Sequence, residues 1–74
     1  MLKKDIGINA GTIWRCLSEK GRLSLREIGE LTSYKDSLIL LALGWLSREN
    51  KILFSNINDN LYVELNFNAS EIYY

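Results

Sequence analysis

The sequence predicts a winged helix-turn-helix, mainly α with one β-hairpin, and three observations carry that prediction. Apolar residues recur at helical spacing in three short segments up to about residue 50, then alternate with polar ones over residues 61–65. Glycine or small polar residues punctuate every junction: Gly21, "TSYKD" at 32–36 and "SNINDN" at 55–60. Ser24 and Glu27 stand at the spacing of a capping box, which marks the start of a helix. Three helices followed by a two-stranded hairpin is the order of this fold. The expected layout is one domain over residues 1–67 and a C-terminal tail over 68–74. A three-helix bundle with a disordered tail is the alternative, and it would leave the alternation of 61–65 without a purpose.

The first helix is expected over about residues 8–20, with Asn9 as its N-cap and Ile13, Trp14 and Leu17 as its apolar stripe. Gly21 ends it, because glycine accepts the left-handed backbone of a helix C-terminus. "RLS" then makes a short extended link. Ser24 opens the second helix, whose buried face is Leu25, Ile28 and Leu31. Gly29 lies inside that helix at a cost of about 1 kcal/mol relative to alanine, which suggests close approach of another helix. Thr32 or Ser33 is expected to cap the third helix, which runs from about Lys35 to Asn50. At 100° per residue, Ile39, Ala42, Leu43 and Leu46 fall on one side, a complete core stripe. Ser37, Leu41, Gly44 and Arg48 lie opposite, with Leu40 and Trp45 on the flanks. "KILFSN" and "NLYVELNF" read as the two strands of the hairpin, with Ile52 and Phe54 on one face of the first. Ile72, Tyr73 and Tyr74 in the tail are apolar enough to cover an exposed edge.

Composition excludes several function classes. Nine Lys and Arg balance nine Asp and Glu, so the chain has no general attraction to nucleic acid or an anionic membrane. The longest apolar run, Leu38–Leu46, is far shorter than the roughly 20 residues that cross a bilayer. The N-terminus lacks the apolar run of a signal peptide. One cysteine, Cys16, permits no intramolecular disulfide, and the expected setting is cytoplasmic. With no histidine, and with a cysteine that has no imidazole to activate it, the chain offers no catalytic constellation and no metal-ligand set, so neither enzymatic activity nor a cofactor is expected.

"INAGTIWRCL" and "LALGWLSRENKI" resemble a family of very small stand-alone bacterial winged-helix proteins with no established function. The likeness lies in Asn9, Ala10, Gly11 and Trp14, then in Ala42–Leu46, Arg48, Glu49, Lys51 and Ile52. It spans roughly residues 6–54. The resemblance implies the fold and a bacterial cytoplasmic setting, and it transfers no catalytic or ligand residues.

The fold invites a DNA-reading third helix, with phosphate and base contacts drawn from Arg22, Arg26, Tyr34, Lys35, Ser37 and Arg48. Lys3 and Lys4 could reach further phosphates. Two features oppose that reading. Asp36 stands where DNA would come closest, and the wing loop "SNINDN" has Asp59 and no cation. The outward side of the third helix is instead apolar at Leu40, Leu41, Gly44 and Trp45, a strip of the kind that meets protein. Burying about 100 Å² of it would contribute roughly 2.5 kcal/mol. The expected partner is a second copy, as a homodimer, or a small protein, in an interaction module that could serve transcriptional regulation. Major-groove DNA reading by the third helix remains the alternative. So does a monomer in which Trp45 and Leu41 pack under the wing or tail.

Overall fold

The computed structural model describes residues 3–67, with side chains from residue 5 onward. The tail predicted at 68–74 and the side chains of Lys3 and Lys4 lie outside the described residues. Three helices, α1 (Lys3–Lys20), α2 (Leu25–Thr32) and α3 (Asp36–Arg48), pack against a small antiparallel sheet. Its strands are β1 (Leu23–Ser24), β2 (Ile52–Ile57) and β3 (Asn60–Leu65), in the spatial order β1-β3-β2. The expected helices and hairpin are present, and "RLS" contributes a third strand. Leu23 pairs with Val63 and Ser24 with Tyr62.

The start of α1 corrects the sequence reading. The helix begins at Lys3, so Asn9 lies well inside it and caps nothing. Ile6, Ala10, Ile13 and Leu17 form one continuous helical stripe, which extends the periodicity back past Asn9. At the other end Gly21 adopts a φ of 83° and donates its N–H to the Leu17 carbonyl at 2.9 Å, as a terminating glycine should.

The capping box of α2 is complete. The Ser24 hydroxyl accepts from the Glu27 N–H at 3.1 Å, and the Glu27 carboxylate accepts from the Ser24 N–H at 2.8 Å. Since Ser24 is also half of β1, one residue ends a strand pairing and starts a helix. The turn that follows differs from expectation. Ser33 takes a left-handed conformation and closes α2 by donating its N–H to the Gly29 carbonyl at 2.8 Å. Thr32 Oγ1 accepts from the Tyr34 N–H at 3.1 Å. Neither caps α3, whose N-cap is Lys35 with no side-chain hydrogen bond. The two polar residues are consumed in stopping α2, because a left-handed residue must intervene before the chain can start a helix in a new direction.

The core stripe of α3 is as expected: Ile39, Ala42, Leu43 and Leu46 are buried and meet Ala10, Ile13 and Leu17 of α1. Ile28, Leu23, Ile52, Val63 and Leu65 complete the core. Leu31, read as part of the buried face of α2, is exposed, and so is Phe54, read on the same face as Ile52. Leu31 stands on the last turn of a short helix, past the core. Phe54 is on the inner face of an edge strand that runs outward into the wing. Gly29 does lie against α3, but a methyl group there would sit 3.7 Å from Ile39 Cδ1, an ordinary contact.

The end of α3 is fastened to the sheet. Lys51 N–H donates to Leu46 O and Asn50 N–H to Ser47 O, both at 2.9 Å, with Asn50 at a φ of 59°. That is the paired-bond helix stop with an asparagine where glycine is usual. The buried Asn66 then donates from its side chain to the Asn50 carbonyl at 3.2 Å, and its N–H reaches Lys51 O at 2.8 Å. The hairpin turn is narrower than "SNINDN": only Asn58 and Asp59 turn, at φ of 53° and 65°, the two-residue geometry whose twist suits a hairpin.

Removing the Ser24 hydroxyl (Ser24→Ala) should lower stability by about 1 kcal/mol. Gly29→Ala should raise it by a similar amount, because the methyl fits and the helix gains propensity. Urea denaturation should report both as shifts in midpoint at an unchanged slope.

Candidate interaction surface on the third helix

The outward side of α3 carries Leu40 and Leu41, which are 52% and 50% exposed, and Gly44 beside them. Residues 40, 41 and 44 stand at i, i+1 and i+4 and so share one side of the helix. No atom lies within 4 Å of the position a Gly44 side chain would occupy. Nothing within the described chain therefore requires a glycine there, although it costs the helix about 1 kcal/mol relative to alanine.

Trp45 stands apart from these three. It is half-buried and packs against the core, and its ring lies over Gly7 of α1, where a methyl group would meet Trp45 Cζ2 at 3.6 Å. The ring is half-buried rather than fully outside. It bridges the α1–α3 seam and contributes at most its outer edge to the strip. The sequence signal for this seat is the pair of small residues Gly7 and Ala10, one helical turn apart on the side where α3 packs. A first helix starting at about residue 8 leaves Gly7 outside it and hides that signal.

Of the residues proposed for DNA contact, Arg26 and Tyr34 line one cleft, whereas Arg48 stands at the opposite end of α3 from Lys35. Arg22 extends from the start of β1 and lies over the Tyr62 ring, 5.6 Å from its centroid. Arg26 stands 3.6 Å from Glu30 one turn along α2, an exposed pair of the kind that water screens. Tyr34 is half-buried against the core. Lys35 and Ser37 are exposed at the start of α3. Arg48 is at the far end, 13 residues from Lys35 and so about 20 Å away at helical rise.

Between the helix-turn-helix and the wing lies an open cleft of about 900 Å³. Among its lining residues are Arg26, Glu30, Asp36 and Asp59. One cation against three carboxylates leaves the cleft with a formal charge of 1 − 3 = −2. A phosphate backbone entering there would be repelled, and water-exposed carboxylates give no compensating contact. The cleft also presents Tyr34 and Tyr62 as hydroxyl-bearing walls. Among the described residues there is no group of three or more potential metal ligands, and no helix is long and apolar enough to cross a membrane.

Two substitutions separate the parts of this surface. Trp45→Glu should destabilise the fold by several kcal/mol, because it puts a carboxylate into the α1–α3 seam. Leu41→Glu should change stability by no more than about 0.5 kcal/mol, as an exposed site does. Thermal unfolding followed by circular dichroism would compare the two, and equal losses would mean that Leu41 is covered.

Comparison with known proteins agrees with this architecture. A solution NMR structure of protein BT2368 from Bacteroides thetaiotaomicron is similar, with a TM-score of 0.83 and 30% identity, over 99% of this chain and 89% of that one. Among curated proteins there is no match. A family model described as Winged helix-turn-helix domain (DUF2582) matches residues 1–65. From helix order, capped turn, wing and matched length together, the chain belongs to that winged helix-turn-helix family.

Proposed function

We propose that this protein is a protein-interaction module whose docking surface is the outward side of α3, meeting a small protein or a second copy. The observation that carries the reading is Gly44, an exposed mid-helix glycine beside half-exposed Leu40 and Leu41, with no neighbour among the described residues to explain it. A bare backbone at that point lets another helix come close, and Leu40 and Leu41 then supply apolar area at the contact. The helix occupies the position that would enter a major groove in a DNA-reading relative, yet its centre has no cation.

DNA binding is the second reading, favoured by the fold, in which winged helix-turn-helix domains commonly bind DNA. The charge distribution speaks against α3 as the reader. Asp36 and Asp59 line the cleft where a duplex would lie, and with Glu30 they outnumber its one cation, Arg26. A role in transcriptional regulation is compatible with the interaction reading if Arg22, Arg26 and Lys35 touch DNA from a second face of an assembled complex.

A photo-crosslinking side chain at position 41, activated in cells, distinguishes the two. Adducts to protein are expected, and adducts to nucleic acid would overturn the proposal. In a parallel titration on mixed-sequence duplex at low salt, binding should be weak. Tight binding that falls steeply with salt, and that Lys35→Ala with Arg26→Ala weakens, would favour the DNA reading.

A further inference from the structure

We infer that the free edge of β2 pairs with the same edge of a second copy, antiparallel about a two-fold axis at Ser55, to make a continuous six-stranded sheet. This concerns a different face from α3 and does not rest on the reading of that helix.

The two edges of the sheet are unlike. β1 is two residues long and runs directly into α2, so it offers almost nothing to pair with. β2 is six residues, "ILFSNI", registered without a break from Ile52↔Leu65 to Ile57↔Asn60. Among the described residues no strand lies on its other side. Edge strands are ordinarily guarded by charge, proline, a bulge or brevity. β2 has none of these. Leu53 on the outer face and Phe54 on the inner are 47% and 46% exposed.

The hairpin geometry fixes which groups are offered. In a two-residue hairpin the residues flanking the turn exchange both hydrogen bonds, and the pattern alternates from there. Ile57, Ser55 and Leu53 therefore turn their N–H and C=O toward β3, while Asn56, Phe54 and Ile52 turn theirs outward. An antiparallel mate must match outward residues with outward residues. Centring the pair on Ser55 does this: Phe54 meets the second copy's Asn56 and Asn56 its Phe54, for about four main-chain hydrogen bonds.

The side chains are self-complementary in that register. On the outer face Leu53 stands opposite the second copy's Ile57, and the two Ser55 side chains meet on the axis. The Ser55 hydroxyl is buried without a hydrogen-bond partner, and a χ1 rotation toward the axis would give it one. On the inner face the two Phe54 rings are diagonal neighbours, within reach of aromatic side chains.

The test is molar mass by light scattering, from about 1 mM to about 1 µM of full-length protein. Wild type should show a monomer–dimer equilibrium. Asn56→Pro removes an outward N–H and leaves the β2–β3 ladder intact, so it should give a folded monomer. Leu53→Glu should raise the dimer dissociation constant at least tenfold. Adding Ile57→Lys to it should restore dimerisation, because the register sets each introduced carboxylate against the ammonium introduced in the second copy. Leu41→Glu should leave the dimer unchanged. Wild type that stays monomeric throughout overturns the proposal. So does a dimer that survives Asn56→Pro and disappears in Leu41→Glu, which would assign self-association to α3. Failure of the double variant to recover while each single variant stays folded overturns the register.

Discussion

The packing of the inner stripe of α3 against α1 is the contact on which the remaining structure depends. Ile39, Ala42, Leu43 and Leu46 are buried on one helix and Ala10, Ile13 and Leu17 on the other. Each large side chain fully withdrawn from water contributes about 1.5–3 kcal/mol. In a chain of 74 residues there is no second core to share the task. Small residues on α1 decide how near the helices come: Ala10 is fully buried, and Gly7 receives the Trp45 ring. With α3 held in this way, its opposite side is committed to the exterior. The same rigid attachment that makes the core also presents Leu40, Leu41 and Gly44 to whatever approaches.

A second constraint is the link between helix and sheet. The stop at Asn50 turns the chain back within two residues, and the buried Asn66 bonds to that stop from the far end of β3. The hairpin is therefore anchored at its base and free at its tip. Along β2 only Ile52, at the anchored base, is buried in the core. Among the described residues no strand covers the outer edge of β2.

Electrostatics divides the surface differently from what the fold suggests. A neutral chain can still bind DNA if its cations gather; here Arg26 lines the cleft beside the wing together with three carboxylates. Arg22 lies over Tyr62, Arg26 is paired with Glu30, and Arg48 is a helix length from Lys35. The carboxylates gather instead, in the cleft beside the wing. The apolar strip on α3 and the cleft of net negative formal charge differ in chemistry, and neither gathers cations.

The sequence by itself determined the fold class, the core stripe of α3, the capping box at Ser24 and the presence of a hairpin. Each of these is set by neighbours within about four residues, through periodicity, caps or turn residues, and short-range physics is readable along a chain. It also identified the exposed face of α3, because a helix wheel assigns the outside once the inside is full. It missed what depends on distant partners. The start of α1 at Lys3 comes from packing that outweighs a plausible cap at Asn9. The assignment of Ser33 to the end of α2, the pairing of Leu23 with Val63, and the position of Trp45 over Gly7 are settled between segments far apart in sequence. Tertiary structure alone decided that Glu30, Asp36 and Asp59 line one cleft with Arg26, because whether charges add or cancel depends on distance in space, and spacing along the chain does not report it.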